Sequence, residues 1–293
     1  MYDHNFINVD KWARVSVFGP ACPFGFSNKY SFIHSCIFIS LCHRWGFVTH
    51  GCIDGYSRTV TFLQTGTSNE AKVVLNLFAQ AVHKFGLPSR VRCDHGGENI
   101  DIALFMTLMR GSGRGSAIAG KSVHNQRIER LWRDVYTQIA EKYYKLFYEM
   151  EDERLLDVDS NIQLFALQTV FLPEINRSMN EFRSAWNSHR LRTARNQSPQ
   201  QLWLNGMLQH ANSSYVATTE IFSNPPSVTV RLEEALANLN IDPQNILHNP
   251  GIDVPQALVV VDPVVMADIQ QSIANISDAK DRYNVVVQML SDV

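Results

Sequence analysis

The chain has 293 residues, 45% of them hydrophobic and 18% charged, the composition of an ordinary globular protein. Five cysteines, at positions 22, 36, 42, 52 and 93, make an odd number with no regular pairing framework, which excludes a disulfide scaffold and points to a reducing, intracellular setting. The formal net charge of −2 hides an asymmetry: residues 211–293 hold 3 Lys/Arg and 10 Asp/Glu, whereas residues 1–210 hold 23 and 18, a mildly basic body with an acidic tail.

Residues 1–45 show neither helical nor strand periodicity around Trp12, Phe18, Phe24 and Phe26, and no Asp or Glu occurs from Lys11 through Ile53. The most apolar run, 31–42, is too short to cross a bilayer and starts too far in for a signal peptide; it reads as a buried strand pair. Cys36, Cys42, His43 and His50 have a C-x5-C-H-x6-H spacing that matches no usual zinc pattern. From Phe47 to Ile53 the chain reads as a strand. Asp54-Gly55-Tyr56-Ser57 reads as a tight turn, and Arg58 to Leu63 as the returning strand.

A helix follows, with Ser68 as its cap and Val73, Val74, Leu77, Phe78, Ala81, Val82 and Phe85 on one face; Gly86 ends it and Pro88 lies just beyond. Arg90 to Asp94 is a short strand, so this is a βαβ unit with a parallel pairing. A helix carrying Ile102, Ala103, Phe105, Met106 and Met109 leads into the loop Gly111-Ser112-Gly113-Arg114-Gly115-Ser116. A long helix begins near His124, its apolar stripe made by Ile128, Leu131, Trp132, Val135 and Ile139. Glu129 falls on the flank of that stripe, with Arg133 on the same flank and Arg127 on the other. Helices are then expected from about Ser160 to Phe171 and from Pro173 through Trp186. A loop holds Arg190, Arg192 and Arg195, and a short helix capped by Ser198 closes at Gly206. Past Ala211, 228–240 and 266–275 look helical and 257–261 extended.

Two carboxylates in this chain sit 35 positions apart, Asp94 at a strand end and Glu129 on a helix flank. Taken singly, the first could belong to a strand-ending turn and the second to a surface pair with Arg133. Together they suit a phosphodiester: two Mg²⁺ ions about 3.5–4 Å apart activate the attacking oxygen and stabilise the leaving one, and Mg²⁺ prefers hard oxygen ligands. A carboxylate past the C-terminal edge of a parallel strand lies where open α/β sheets bind ligands. Arg92, Lys121, Arg127 and Arg133 would meet phosphates.

The motifs IDGYSR, PSRVRCDHGGEN, HNQRIERLWRD and WNSHRLRTARNQSPQQLW, in that order, resemble the retroviral-type integrase core, and most closely an integrase-core group of transposable elements and host genes derived from them. The resemblance covers about residues 45–207. It implies an α/β, ribonuclease-H-like core with a mixed central sheet flanked by helices, and helical additions C-terminal to it. It implies Mg²⁺- or Mn²⁺-dependent DNA strand transfer by an Asp-Asp-Glu triad, with Asp94 as the second acid and Glu129 as the third, both metal ligands. DNA is the implied partner, homo-oligomers the implied assembly and the nucleus the implied place; no membrane or small-molecule cofactor is expected. The organisation expected is an N-terminal segment 1–45, a core 46–207 and an acidic extension 208–293.

The departure is at the first acid, which the family carries on its first strand. That strand should fall near 32–42, where no carboxylate occurs. Asp54 could substitute only if its strand end lay beside Asp94. Three readings follow: a catalytic core completed by Asp54 or another group; an inactive, domesticated module that acts by binding DNA or protein; or a chain whose residues 1–45 are not the native start.

Overall fold

A computed structural model describes residues 33–39, 42–93, 99–111, 114–119, 126–210, 257, 259 and 261–291. The described residues lie in one compact unit. Its centre is a five-stranded mixed sheet of order β3-β2-β1-β4-β5: β1 Ile33–Ile39, β2 Val48–Asp54, β3 Val60–Gly66, β4 Arg90–Cys93 and β5 Ala117–Ala119. β1 is antiparallel to β2 and parallel to β4, β2 is antiparallel to β3, and β4 is parallel to β5. The expected α/β core with helices on both faces is what the chain forms.

The two faces separate by alternation along the strands. Cys52, Phe62, Val91 and Cys93 pack against helices α1 (Ala71–Phe85) and α2 (Ile100–Arg110), through Val74, Leu77, Phe78, Ala81 and Val82 of the first and Ile102, Phe105 and Met106 of the second. Each such aliphatic or aromatic side chain contributes about 1.5–3 kcal/mol on full burial. Ile53, Val60 and Leu63 face the other layer. That layer contains α3 (Gln126–Val135), which continues through a π-helical turn (Tyr136–Ala140) into α4 (Glu141–Asp152), and then α5 (Asn161–Ser188). Helix α6 (Pro199–His210) follows α5, and α7 (Pro263–Ile273) and α8 (Ala279–Ser291) complete the described helices.

Every residue of β2 is buried, because it has a strand on each side and helices on both faces. Its polar groups are matched accordingly: Thr49 and Thr65, cross-strand partners, bond through their hydroxyls at 2.8 Å. The outer edge of β3 is closed by α5. Asn187 accepts from Val60 N at 2.8 Å and donates to Val60 O at 3.0 Å; Asn176 does the same for Thr65 at 2.8 and 2.9 Å. Eleven helical residues rise about 16.5 Å, and five strand residues rise about the same, so the two amides arrive in step. A register shift at Cys52/Ile53 changes the strand's parity, which lets Val60 and Thr65 both present their backbone outward.

Several expectations are corrected. Within the run 31–42 the described residues 33–39 are one strand, not a pair, and a 3-10 turn, His43–Trp45, follows, entered through Cys42 at φ 61°. The turn after β2 is wider than a two-residue hairpin: Arg58 N bonds Asp54 O at 2.9 Å, Asp54 N bonds Thr59 O at 2.8 Å, and β3 begins at Val60. Ser68 does not cap α1; its hydroxyl accepts from Glu70 N at 3.2 Å ahead of the helix. The helices expected on either side of Pro173 are one, α5, with Pro173 on its exposed side, where the carbonyl it leaves unbonded can meet water. Ser198 does cap α6, with Gln201 returning the bond to its backbone, but the helix passes the buried Gly206 and runs to His210.

Within 257–261, Val259 N bonds Ala257 O at 2.9 Å; residues 258 and 260 of the strand expected there lie outside the described residues. The helix expected at 266–275 is α7, and α8 was not foreseen. Both share the core of α5 through Ile269, Tyr283, Val286 and Leu290. Lys280 ties α8 to Glu149 and Glu153 at 2.8 and 3.1 Å, and Arg282 bonds Glu174. The helix expected over 228–240 lies outside the described residues. Among the described residues no helix is long and apolar enough to cross a membrane.

Candidate functional site

Helix α3 brings Glu129 over the sheet. Ile128, Leu131, Trp132 and Val135 are buried on its inner side, and the Trp132 ring edge comes so close to β2 that only a glycine fits against it: a Cβ on Gly51 would stand 2.8 Å from Trp132 Cη2. Glu129 is half-buried one turn earlier. Its Oε1 is buried and has no hydrogen-bond partner among the described residues. Burial raises its pKa, and the positive charge of Arg133 pulls it back down. Arg133 is exposed, and among the described residues no ion pair joins the two; Arg130 instead pairs with Asp134 at 3.5 Å. A carboxylate with an unmatched buried oxygen is costly to the fold, and such a cost is typical of a residue positioned for a ligand.

Asp54 is fully buried at the end of β2, and its Oδ2 accepts from Ser57 N at 2.7 Å and Ser57 Oγ at 2.6 Å. Ser57 Oγ also lies 2.9 Å from Thr59 Oγ1, so Asp54 organises the β2–β3 turn. The register pairs Asp54 with His34, and His34 with Val91 of β4. With β1 lying between, β2 and β4 are about 10 Å apart, two strand spacings. Asp94 and Lys121 lie outside the described residues.

Arg92 is half-buried on β4, between Val91 and Cys93, which both face the α1/α2 layer; alternation turns Arg92 toward the α3 layer. Arg127 is exposed in the first turn of α3. Its pKa is lowered by burial of part of its guanidinium and by the nearby Arg58, and raised by Asp54. Asp54, Arg58 and Arg127 thus form one neighbourhood where the β2–β3 turn meets the start of α3. Periodicity gave no sign of the Gly51–Trp132 fit or of Arg58. The fit could have been suspected from a glycine in mid-strand.

Cys42, Cys52 and Cys93 are buried and in no disulfide, and burial pushes the Cys42 thiol up to about 12; the side chain of Cys36, the other cysteine of the C-x5-C-H-x6-H spacing, lies outside what is described. His50 is buried and held neutral, its pKa lowered to about 4 by burial against a partial opposing effect of its contact with Ser68 O at 3.3 Å.

The sequence matches the family described as integrase core domain over residues 38–217. The chain belongs to the integrase core family. A comparison with curated proteins finds no match. Among solved structures, the HTLV-2 integrase catalytic core domain in complex with magnesium, in its trimeric form, is 14% identical with a TM-score of 0.38, over 59% of this chain and 95% of that one. Its dimeric form is 13% identical with a TM-score of 0.37, over 59% and 96%. A simian T-cell lymphotropic virus intasome in complex with a PP2A regulatory subunit is 12% identical with a TM-score of 0.39, over 59% and 54%.

Integrase cores use divalent metal. Glu129, with its unmatched buried oxygen, suits a ligand position. The first strand does not: β1, Ile-His-Ser-Cys-Ile-Phe-Ile, has no carboxylate. Among the described residues no three His, Cys, Asp or Glu group to hold a metal ion. Among the described residues, Glu129 suits a metal ligand and β1 supplies no acid beside it.

Proposed function

We propose that the chain is a DNA-binding integrase core that does not carry out strand transfer on its own. Asp94 and Glu129 are the two remaining acids of the ancestral site, and Arg92, Lys121, Arg127 and Arg133 contact phosphates around it. Asp54 serves the β2–β3 turn. The observation that carries this reading is β1 itself: the strand is formed and paired on both sides, yet it has no acid. Two metal ions need a carboxylate between them to hold attacking and leaving oxygens in line, and two acids supply too few hard ligands for that geometry. The reading includes descent from a transposable element, action as a homo-oligomer and a nuclear site of action. These follow from the family and from a DNA partner.

The test is strand transfer and its reversal on branched DNA with Mn²⁺, beside equilibrium binding to duplex DNA across a salt series. The expected result is no product above that of Asp94→Asn and Glu129→Gln, with binding that weakens as salt rises and needs no divalent metal. Product made by wild type and abolished by either substitution would overturn the claim of inactivity. Binding that is absent or indifferent to salt would overturn the claim of DNA binding.

A further inference from the structure

The arginines that follow α5 are not explained by the site around Glu129. Arg190, Arg192 and Arg195 are all exposed, on a loop from His189 to Gln197. The loop is built firmly. Leu191 is buried as its anchor; Leu191 N bonds Gln197 O at 3.0 Å, Asn196 N bonds Leu191 O at 3.0 Å, and a 3-10 turn spans Arg192–Ala194. Arg195 and Asn196 sit in the left-handed region at φ 55° and 59°. His189 Nδ1 lies 2.5 Å from Trp186 O, closing the entry from α5.

The loop is also fastened to the β2–β3 turn. Arg58 Nη1 donates to Thr193 Oγ1 at 3.0 Å, and Trp186 Nε1 donates to Arg58 O at 2.9 Å. Arg58 itself holds φ at 64°, a left-handed conformation that persists only where its surroundings enforce it. Two segments more than 130 residues apart in sequence thus present their arginines together.

The charge here is uncompensated. No Asp or Glu occurs from Phe182 through Thr219, nor from Gly55 through Asn69, although the chain has 28 acids and a net charge of −2. The acid at the base of the turn, Asp54, is buried and holds Ser57. Among the described residues, none of Arg58, Arg190, Arg192 and Arg195 is in an ion pair. A rigid surface with several unneutralised guanidiniums suits a polyanion with closely spaced charges.

We propose that Arg58, Arg190, Arg192 and Arg195 form a second phosphate-contact surface for duplex DNA, continuous through Arg127 with the mouth of the Glu129 site. The proposal rests on the DNA-binding reading above and extends it: duplex flanking the site lies over the β2–β3 turn and the loop after α5. The contacts are to the backbone, so they add affinity and orientation without reading sequence.

The test uses the full chain and a fluorescent 30-base-pair duplex, with anisotropy measured from low to physiological salt. The triple variant Arg190→Gln, Arg192→Gln, Arg195→Gln should bind at least tenfold more weakly at 0.1 M salt. Its slope of log affinity against log salt should be shallower by about 2.7, at about 0.9 for each phosphate that is no longer neutralised. Arg192→Glu alone should weaken binding in the same direction, which guards against a triple variant that folds poorly. Arg154→Gln, an exposed arginine on the α4–α5 connection, should leave affinity and slope near wild type. If wild type binds with a steep slope and the loop variants match it, the second surface is wrong and the DNA-binding reading stands. If wild type shows no salt-dependent binding, both fall. Equal competition by duplex RNA would overturn DNA as the occupant.

Discussion

Replacing Gly51 by alanine tests the packing that holds the Glu129 helix on the sheet. The added methyl would stand 2.8 and 3.2 Å from two atoms of the Trp132 ring and 3.1 Å from Leu63 Cδ1. The indole is rigid and only 3% exposed, so it cannot swing aside, and the helix must lift instead. Overpacking of this kind costs about 1–3 kcal/mol. Urea unfolding should report it as a lower midpoint with an unchanged slope. Trp132→Phe trims the ring edge that meets Gly51 and also removes an indole N–H that is buried without a partner among the described residues. The two substitutions should therefore couple: the double variant should be close to Trp132→Phe alone, with an interaction of at least about 1 kcal/mol. An unchanged midpoint for Gly51→Ala, or additive costs in the double variant, would refute the claim that this contact sets the height of α3.

The amide clasps on β3 make a second test: Asn176→Ala and Asn187→Ala should each cost about 1–3 kcal/mol by leaving one strand N–H and one C=O unmatched, and the two should add; a neutral result at both would mean water replaces them freely. His50 gives a pH prediction. Its folded pKa of about 4 lies below the unfolded value, so the unfolded chain binds more protons between pH 6.5 and 4 and stability falls as pH drops through that window. The loss should total roughly 3 kcal/mol and be missing from His50→Asn. Glu129 works in the opposite sense. Its folded pKa is raised, so the folded chain binds more protons in the window above the unfolded value, and stability from this group is lost as pH rises through the folded pKa. The stability of Glu129→Gln relative to wild type should then climb with pH above the ordinary carboxylate range; a constant difference would show that burial does not act on the charged form.

The parts of the fold that were legible in the sequence were those set by local period. The α1 stripe, the parallel entry of β4 and the stripe of α3 with Glu129 on its flank each follow from side chains that face one layer. Position 129 could be assigned to an edge because its neighbours at 128, 131 and 132 had to be inside. What was hidden depended on partners distant in sequence. β1 pairs with strands on both sides, β2 and β4, and its apolar run gave no sign in sequence of where one strand would end. Asn176 and Asn187 look like solvated residues of a polar helix face until an edge strand lies eleven residues of helix long beside them. Pro173 read as a helix start because local rules place it there, and tertiary packing on both sides of it overrides them. Lys280 and Arg282, the only basic residues after Arg231, gave no hint in sequence that they fasten α8 to the acids of α4, α5 and the turn between them.

An acid on β1 would matter less to the fold than to the chemistry, and under the proposed reading that difference is how the two part. Carboxylates gathered for metal repel one another and lose hydration, so without metal each is a burden on stability. Glu129 already shows that burden in its raised pKa and unmatched oxygen. A further acid on β1, in the middle of the sheet, would add to it. In the proposed reading, a β1 of Ile-His-Ser-Cys-Ile-Phe-Ile goes without metal chemistry while the strand still pairs on both sides. The arginines proposed to meet phosphates are under no such tension, because exposed guanidiniums cost the fold little and would serve phosphate binding whether or not a bond is cut. Strand-transfer assays and salt titrations therefore probe separate groups of residues in this protein, and a negative result in the first carries no implication for the second.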